Sequence, residues 1–260
     1  MLGTVTEMSA AQPAHVLILG CGRSGTSIFG ELFEHLTPYT YLSEPLFGDY
    51  LRADFHAPVA AKVPAEDDAF DSTPGLSFPL DALLDALPTP RRIYWIVRHP
   101  LDAVCSLRPG ISKNWGHHPQ PPDWQDRLDH PLIEQCAHHW NYINSVGYSA
   151  VSHLVEVKRF EDMIHDPRGF AYQIGDEVGL ARAEHERELK DWFERVQDTN
   201  NDRFVEAKTS RTHSRPDHTR RVSRWRENLT AEEVRRLVPM LRETATRFGY
   251  DLDPAADGAR

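Results

Sequence analysis

The residues best equipped for chemistry lie in Gly20-Cys21-Gly22-Arg23-Ser24-Gly25-Thr26-Ser27. Glycines at 20 and 25 have the G-x-x-x-x-G spacing of a P-loop, which turns successive backbone N–H groups toward an anion at a helix N-terminus. Arg23 puts a cation inside the loop. Thr26 stands where a nucleoside triphosphatase carries the lysine that reaches the β- and γ-phosphates. Such a loop is poorly equipped to move a γ-phosphoryl group. It can still hold a 5′-phosphate and a neighbouring anionic group. A glycine-rich strand-to-helix turn without a ligand is the competing reading of the same spacing.

Two further clusters point the same way. Arg98-His99-Pro100-Leu101-Asp102-Ala103-Val104-Cys105-Ser106 follows an apolar run. Arg98 falls at a strand end, where parallel sheets bind ligands. Ser106 lies two helical turns further on, so its hydroxyl can join Arg98 on one phosphate. From Arg203 to Glu227 there are eight bases and three acids, inside a chain of formal net charge −10. A charge run is usually a solvated face, but against the global sign this one reads as a segment for an anionic ligand.

The elements that must position these residues follow from periodicity. Residues 15–19, HVLIL, form a short apolar run that fits a buried strand. Ile28, Phe29, Leu32, Phe33 and Leu36 recur at helical spacing, so the spacing predicts a helix over 26–36. Residues 40–42 and 91–97 read as strands, and a helix starts at Leu101 with Asp102 in its first turn. Residues 46–90 read as irregular; from Glu44 to Asp85 there are nine acids and two bases, Arg52 and Lys62. Residues 108–131 hold five prolines without a period and read as a long loop. Segments 132–150 and 170–198 read as helices, and 151–160 as a strand between them. Thr230 and Glu233 form a capping box for a helix ending at Gly249. Strands alternating with helices imply an α/β layer with a largely parallel sheet.

The chain of 260 residues, 40% hydrophobic, is enough for one core. The expected organisation is a flexible start over 1–14, one domain over 15–250 and a flexible tail over 251–260. The acidic balance argues against nucleic-acid or anionic-membrane partners. Cys21, Cys105 and Cys136 have no C-x-x-C spacing, which leaves neither a disulfide framework nor a zinc ribbon. No stretch reaches the ~20 apolar residues that span a bilayer, and the start does not read as a signal peptide. A cytoplasmic location is the expectation.

Four segments, in order, resemble sulfotransferases that use 3′-phosphoadenosine 5′-phosphosulfate (PAPS). G-C-G-R-S-G-T-S resembles their 5′-phosphosulfate loop, and R-H-P-L-D-A-V-C-S their R-x-P-x-D-x-x-x-S motif for the 3′-phosphate. V-K-R-F-E-D-M-I-H-D-P (157–167) resembles their "Y-E-D-L…D-P" segment with Phe160 for tyrosine. R-V-S-R-W-R-E-N-L-T (221–230) resembles "G-R-W-R-x-x-L" with Ser223 for glycine. Arginine at 23, where the cytosolic branch has lysine, is closer to the tyrosylprotein and bacterial branches.

The resemblance implies a three-layer, P-loop-like α/β fold with a mostly parallel central sheet flanked by helices. It implies PAPS as sulfuryl donor, adenosine 3′,5′-bisphosphate (PAP) as product, and no metal. By position, Gly22, Arg23, Ser24, Gly25, Thr26 and Ser27 would hold the 5′-phosphosulfate. Arg98 and Ser106 would hold the 3′-phosphate, joined by Arg220 or Arg221. Arginine stays protonated, so Arg23 is expected to clamp charge rather than donate a proton. Sulfuryl transfer, like phosphoryl transfer, is mostly positioning and charge stabilisation. The base would be Glu44, after the second strand, or else His99. The histidines at 117, 118, 138 and 139 read as loop and helix-surface residues rather than metal ligands. Segments 46–90 and 108–131 would wall the acceptor site, with Trp115, Trp124 and Phe55 as aromatic surface. The acceptor is expected to be a small molecule or peptide, neutral or cationic. The alternatives are a nucleotide-dependent small-molecule kinase and a non-catalytic nucleotide-binding module.

Overall fold

The computed structural model describes residues 12–198 and 222–252. The expected start (1–14) and tail (251–260) fall largely outside the described residues, as do Arg220, Arg221 and most of the basic segment.

Five strands form one all-parallel sheet: β1 (His15–Gly20), β2 (Thr40–Ser43), β3 (Val59–Lys62), β4 (Arg91–Val97) and β5 (Glu156–Arg159), in the order β2-β3-β1-β4-β5. β1 is central, with Leu17 beside Ala61 on one side and beside Ile93 on the other. Side-chain alternation divides the strands between two layers. Val16, Ile18, Tyr94 and Ile96 pack under α1 (Thr26–His35), α8 (Pro167–Glu177) and α9 (Arg182–Asp198). Leu17, Leu19, Trp95 and Val97 face α4 (Pro100–Ile111), α5 (Leu132–Tyr142) and α10 (Ala231–Arg247). Helices on both faces of a parallel sheet make the expected three layers.

The chain leaves β1 toward β2 and β3, then crosses to β4 on the other side. The crevice between the carboxyl ends of β1 and β4 is therefore a topological switch point, where open α/β sheets bind ligands. Glu44 follows β2, Lys62 ends β3, the glycine loop follows β1, Arg98 follows β4 and Phe160 follows β5.

Three expectations need correction. Segment 46–90 is not irregular: it holds α2 (Phe47–Leu51), β3 and α3 (Leu80–Ala86). The four residues Val-Ala-Ala-Lys of β3 are too short and too alanine-rich to show a strand period, yet all four are buried between two neighbours. The strand expected over 151–160 is confined to Glu156–Arg159, because α6 (Tyr148–Val151) and a turn take its start. The loop expected over 108–131 begins only after α4 ends at Ile111, and its Trp115 is core. Trp115 Nε1 donates to His139 Nδ1 at 3.2 Å, inside the protein. Trp115 thus offers no aromatic wall to an acceptor, whereas Trp124 and Phe55 are half-buried against the core.

Candidate active site

The glycine loop needs its second glycine for two reasons. Gly25 has φ +101°, and a Cβ there would lie 2.4 Å from Phe160 Cδ2. Phe160, first residue of α7 (Phe160–His165), therefore presses directly on the loop. No side chain caps α1, and its first turn holds no acidic residue. Its leading N–H groups keep their positive end for an external anion. Ser24 is fully buried, and its Oγ has no hydrogen-bond partner. Buried hydroxyls are normally partnered, so this one marks a place for a polar group.

Cations from three parts of the chain meet at this loop. Arg98 is buried, donates from Nη1 to the Arg23 carbonyl at 3.2 Å, and lies 4.4 Å over the Phe160 ring. Arg23 Nε donates to Ser106 Oγ at 3.3 Å, which unites the two motifs across 83 residues. Arg224 is the third cation; it too is buried, and its Nε has no hydrogen-bond partner. Burial and the neighbouring Arg98 lower Arg224 to about 10. The same two causes pull Arg23 down. Arg98 thus disfavours the charge of both Arg23 and Arg224, and an anion here would relieve them.

Arg224 owes its place to Asp102. The carboxylate is fully buried in the first turn of α4; Oδ2 accepts from Ser223 N at 2.8 Å and Oδ1 from Trp225 N at 2.9 Å. Asp102 thus does more than favour a helix end: it clamps the C-terminal segment on both sides of Arg224. Burial pushes its carboxyl above the usual range, while Arg98, His99 and the two N–H donors pull it back. The clamp forces Ser223 into φ +62°. This is the left-handed region, which costs a non-glycine residue about 1–2 kcal/mol. Ser223→Gly should therefore raise stability by about 0.5–1 kcal/mol, after glycine's own entropic cost. Thermal unfolding checks this: a gain of about 1–3 °C is expected, and a loss would show that the serine side chain matters more than the backbone.

Sequence reasoning missed Lys62. Its buried ammonium group donates to Ser27 Oγ at 3.0 Å and pairs with Glu44 at 2.9 Å. It ties β3 to the loop and holds the mostly exposed Glu44 carboxylate. Its signal was a lone lysine at the end of the apolar run Val59-Ala60-Ala61 inside an acidic stretch. Arg224 was missed in favour of Arg220 and Arg221, although it lies within the Arg-Trp-Arg resemblance. The structure brings Gly22, Arg23, Ser24, Gly25, Thr26, Ser27, Arg98 and Ser106 together at the loop. Glu44 reaches its rim. His99 is placed differently: its ring stacks on Trp225 at an interplanar angle of 7° and meets the edge of Tyr250, and its backbone N–H donates to Glu161 Oε1 at 2.9 Å. That setting packs it beside Arg98.

Two adjoining cavities open on the loop. One of about 140 Å³ is lined by Arg23, Ser106 and Lys113. The other, of about 430 Å³, is lined by Gly22 and Thr26 on one wall and by Glu44, Glu66 and Asp68 on another. A cationic cavity thus meets an acidic one across the loop. Among the described residues, no group of three or more His, Cys, Asp or Glu side chains is arranged to hold a metal ion. His118 instead pairs with Glu66 and His138 with Asp123.

Comparison with solved structures gives this architecture a precedent. The mouse sulfotransferase SULT7A1 complexed with PAP is 15% identical, with a TM-score of 0.61 over 96% of this chain and 90% of that one. The sulfotransferase domain from the curacin biosynthetic pathway is 15% identical, with a TM-score of 0.56 over 93% and 99%. The chain has the sulfotransferase fold. A third such domain, from the Synechococcus PCC 7002 olefin synthase, is 15% identical with a TM-score of 0.51 over 95% and 98%. No family model matches the sequence, and no curated protein does. The likeness thus lies in the shape of the sulfotransferase fold. No helix among the described residues is long and apolar enough to cross a membrane.

Proposed function

We propose that this chain is a PAPS-dependent sulfotransferase that moves a sulfuryl group to a hydroxyl or amine acceptor. The observation that carries the reading is the convergence of Arg23, Arg98 and Arg224 on a capless helix start. A donor with a 3′-phosphate and a 5′-phosphosulfate has the charges to answer it. The orphaned Ser24 hydroxyl and Arg224 Nε fit the same kind of group. PAP bound to a protein of the same fold supports this choice of donor.

PAPS, when bound, supplies the activated sulfuryl group. The chain's part is positioning and charge. Gly22 to Ser27 present N–H groups and hydroxyls to the 5′ end, with Arg23 and Lys62 as cations beside them. Arg98, Ser106 and Arg224 hold the 3′-phosphate, and Arg220 or Arg221 can join them. Preorganised donors of this kind stabilise the charge that grows on a leaving phosphate. The larger cavity takes the acceptor. Its volume suits a small molecule, and Glu44, Glu66 and Asp68 favour a neutral or cationic one over a polyanion. A cytoplasmic location agrees with the reduced, unpaired cysteines.

The kinase reading is not favoured, because Thr26 replaces the lysine that a γ-phosphoryl transfer needs. Calorimetric titration and thermal unfolding with PAP, beside ATP with Mg²⁺, separate the readings. PAP at a hundred times its Kd should add about 2.7 kcal/mol to the fold, with ATP and Mg²⁺ far behind. Stabilisation by ATP and Mg²⁺ without any by PAP would sink the sulfotransferase reading.

A further inference from the structure

His117 stands at the seam of the two cavities. It lines the small cavity with Arg23 and Ser106, and the larger one with Gly22 and Thr26. Gly116 aside, no other described residue lines both. Its ring sits in a slot between two glycines. A Cβ on Gly22 would come within 3.4 Å of His117 Nδ1, and one on Gly110 within 2.2 Å of Nε2. The Nδ1 edge therefore rests on the anion loop itself. Two hydrogen bonds fix the turn that carries it: Gly116 N donates to Gly110 O, and the Gln120 side-chain Nε2 to Trp115 O, each at 3.0 Å.

Behind the ring lies His139, 5.8 Å away between centroids and fully buried. Burial holds His139 well below the ordinary histidine value, helped by His117, His138 and His118. The ring behind His117 is thus neutral. Arg23 and Lys113 face His117 from the donor side; Glu44, Glu66 and Asp68 face it from the acceptor side.

We propose that His117 is the general base of the transfer. This rests on the sulfotransferase reading above and names the residue that takes the acceptor's proton. The acceptor oxygen forms its bond to sulfur as the bond from sulfur to the 5′-phosphate oxygen breaks. That electron pair stays on the phosphate, and the acceptor's proton moves to a ring nitrogen of His117, which returns it to water. Imidazole ordinarily titrates near neutrality, as a base for this step should. Glu44 is already paired with Lys62, and His99 stacks on Trp225 and meets the edge of Tyr250. His117 is the base that reaches both the donor and the acceptor cavity.

The test follows release of PAP from labelled PAPS, in water alone and with a simple phenol, across pH 5–9. Wild-type turnover should fall on the acid side as a single group near neutrality is protonated. His117→Gln should lower turnover about 10²- to 10³-fold and abolish that limb, with PAP affinity within about threefold of wild type. Free imidazole should restore part of the rate to His117→Gly, which a merely structural role would not allow. An unchanged acid limb in His117→Gln, or PAP affinity falling in step with turnover, would overturn the assignment. So would wild type that binds PAP but releases none from PAPS. Failure of wild type to bind PAP would overturn the donor reading instead.

Discussion

Asp102→Ala should lower the unfolding free energy by about 3–5 kcal/mol, the usual cost of stripping one partner from a buried charged network. The substitution leaves the Ser223 and Trp225 N–H groups without their acceptor, and unmade buried hydrogen bonds cost about 1–3 kcal/mol each. It also removes a carboxylate that offsets Arg98 and Arg224 in a dry site. A typical domain has only about 5–15 kcal/mol to lose. The segment that carries Arg224 should then come away from α4, and PAP affinity should fall at least tenfold. Asp102→Asn, which keeps the shape and one acceptor oxygen, should lose less on both measures. Urea unfolding together with PAP titration decides the matter. A Asp102→Ala variant within 1 kcal/mol of wild type would mean that the clamp carries little of the fold.

Arg224→Met should move stability and binding in opposite directions. Burial and the neighbouring Arg98 lower Arg224 from the ordinary arginine value to about 10. A base whose folded value lies below its unfolded one weakens the fold wherever it is cationic, and neutral pH lies inside that range; the loss is recovered only as pH rises through about 10 toward the ordinary arginine value. Methionine fills the space with an unbranched, adaptable chain and no charge. Burial and repulsion from Arg98 outweigh the attraction of Arg224 to Asp102, and one pKa unit is worth about 1.4 kcal/mol, so a gain of about 1–2 kcal/mol is expected in the unliganded protein. PAP affinity should drop about 10- to 100-fold, because a charge-assisted hydrogen bond is worth about 1.5–3 kcal/mol. Denaturant midpoints with and without PAP read both effects. Lower stability without ligand would show that Arg224 is structural; unchanged affinity would place it outside the donor site.

Local pattern was enough for much of this molecule. The strand–glycine–helix order of β1, loop and α1 follows from an apolar run, two glycines and a 3.6-residue period. β4 followed by Arg98, and the capping box at Thr230 and Glu233, are equally local. Three of the four motif segments lie at the carboxyl end of a strand or just beyond it, after β1, β4 and β5. Their chemistry is set by residue type, which a sequence displays directly.

What the sequence left hidden was decided by partners far along the chain. β3 is a strand because β1 and β2 flank it and satisfy its backbone, although its four residues carry no period. Trp115 is core because His139 waits 24 residues away for its N–H. Lys62 reaches the site because β3 ends beside the anion loop, and Arg224 because Asp102 grips the backbone around it from 121 and 123 positions away. His117 could be seen as one of several loop histidines; only the closure of α4 and its turn over Gly22 sets it between two cavities. Residue type and spacing determined a glycine-rich, arginine-bearing loop on a parallel α/β sheet. Which cations gather at that loop, and which imidazole stands between its two cavities, depends on long-range packing. No local period encodes that packing, because the groups it joins are neighbours only once the sheet has formed.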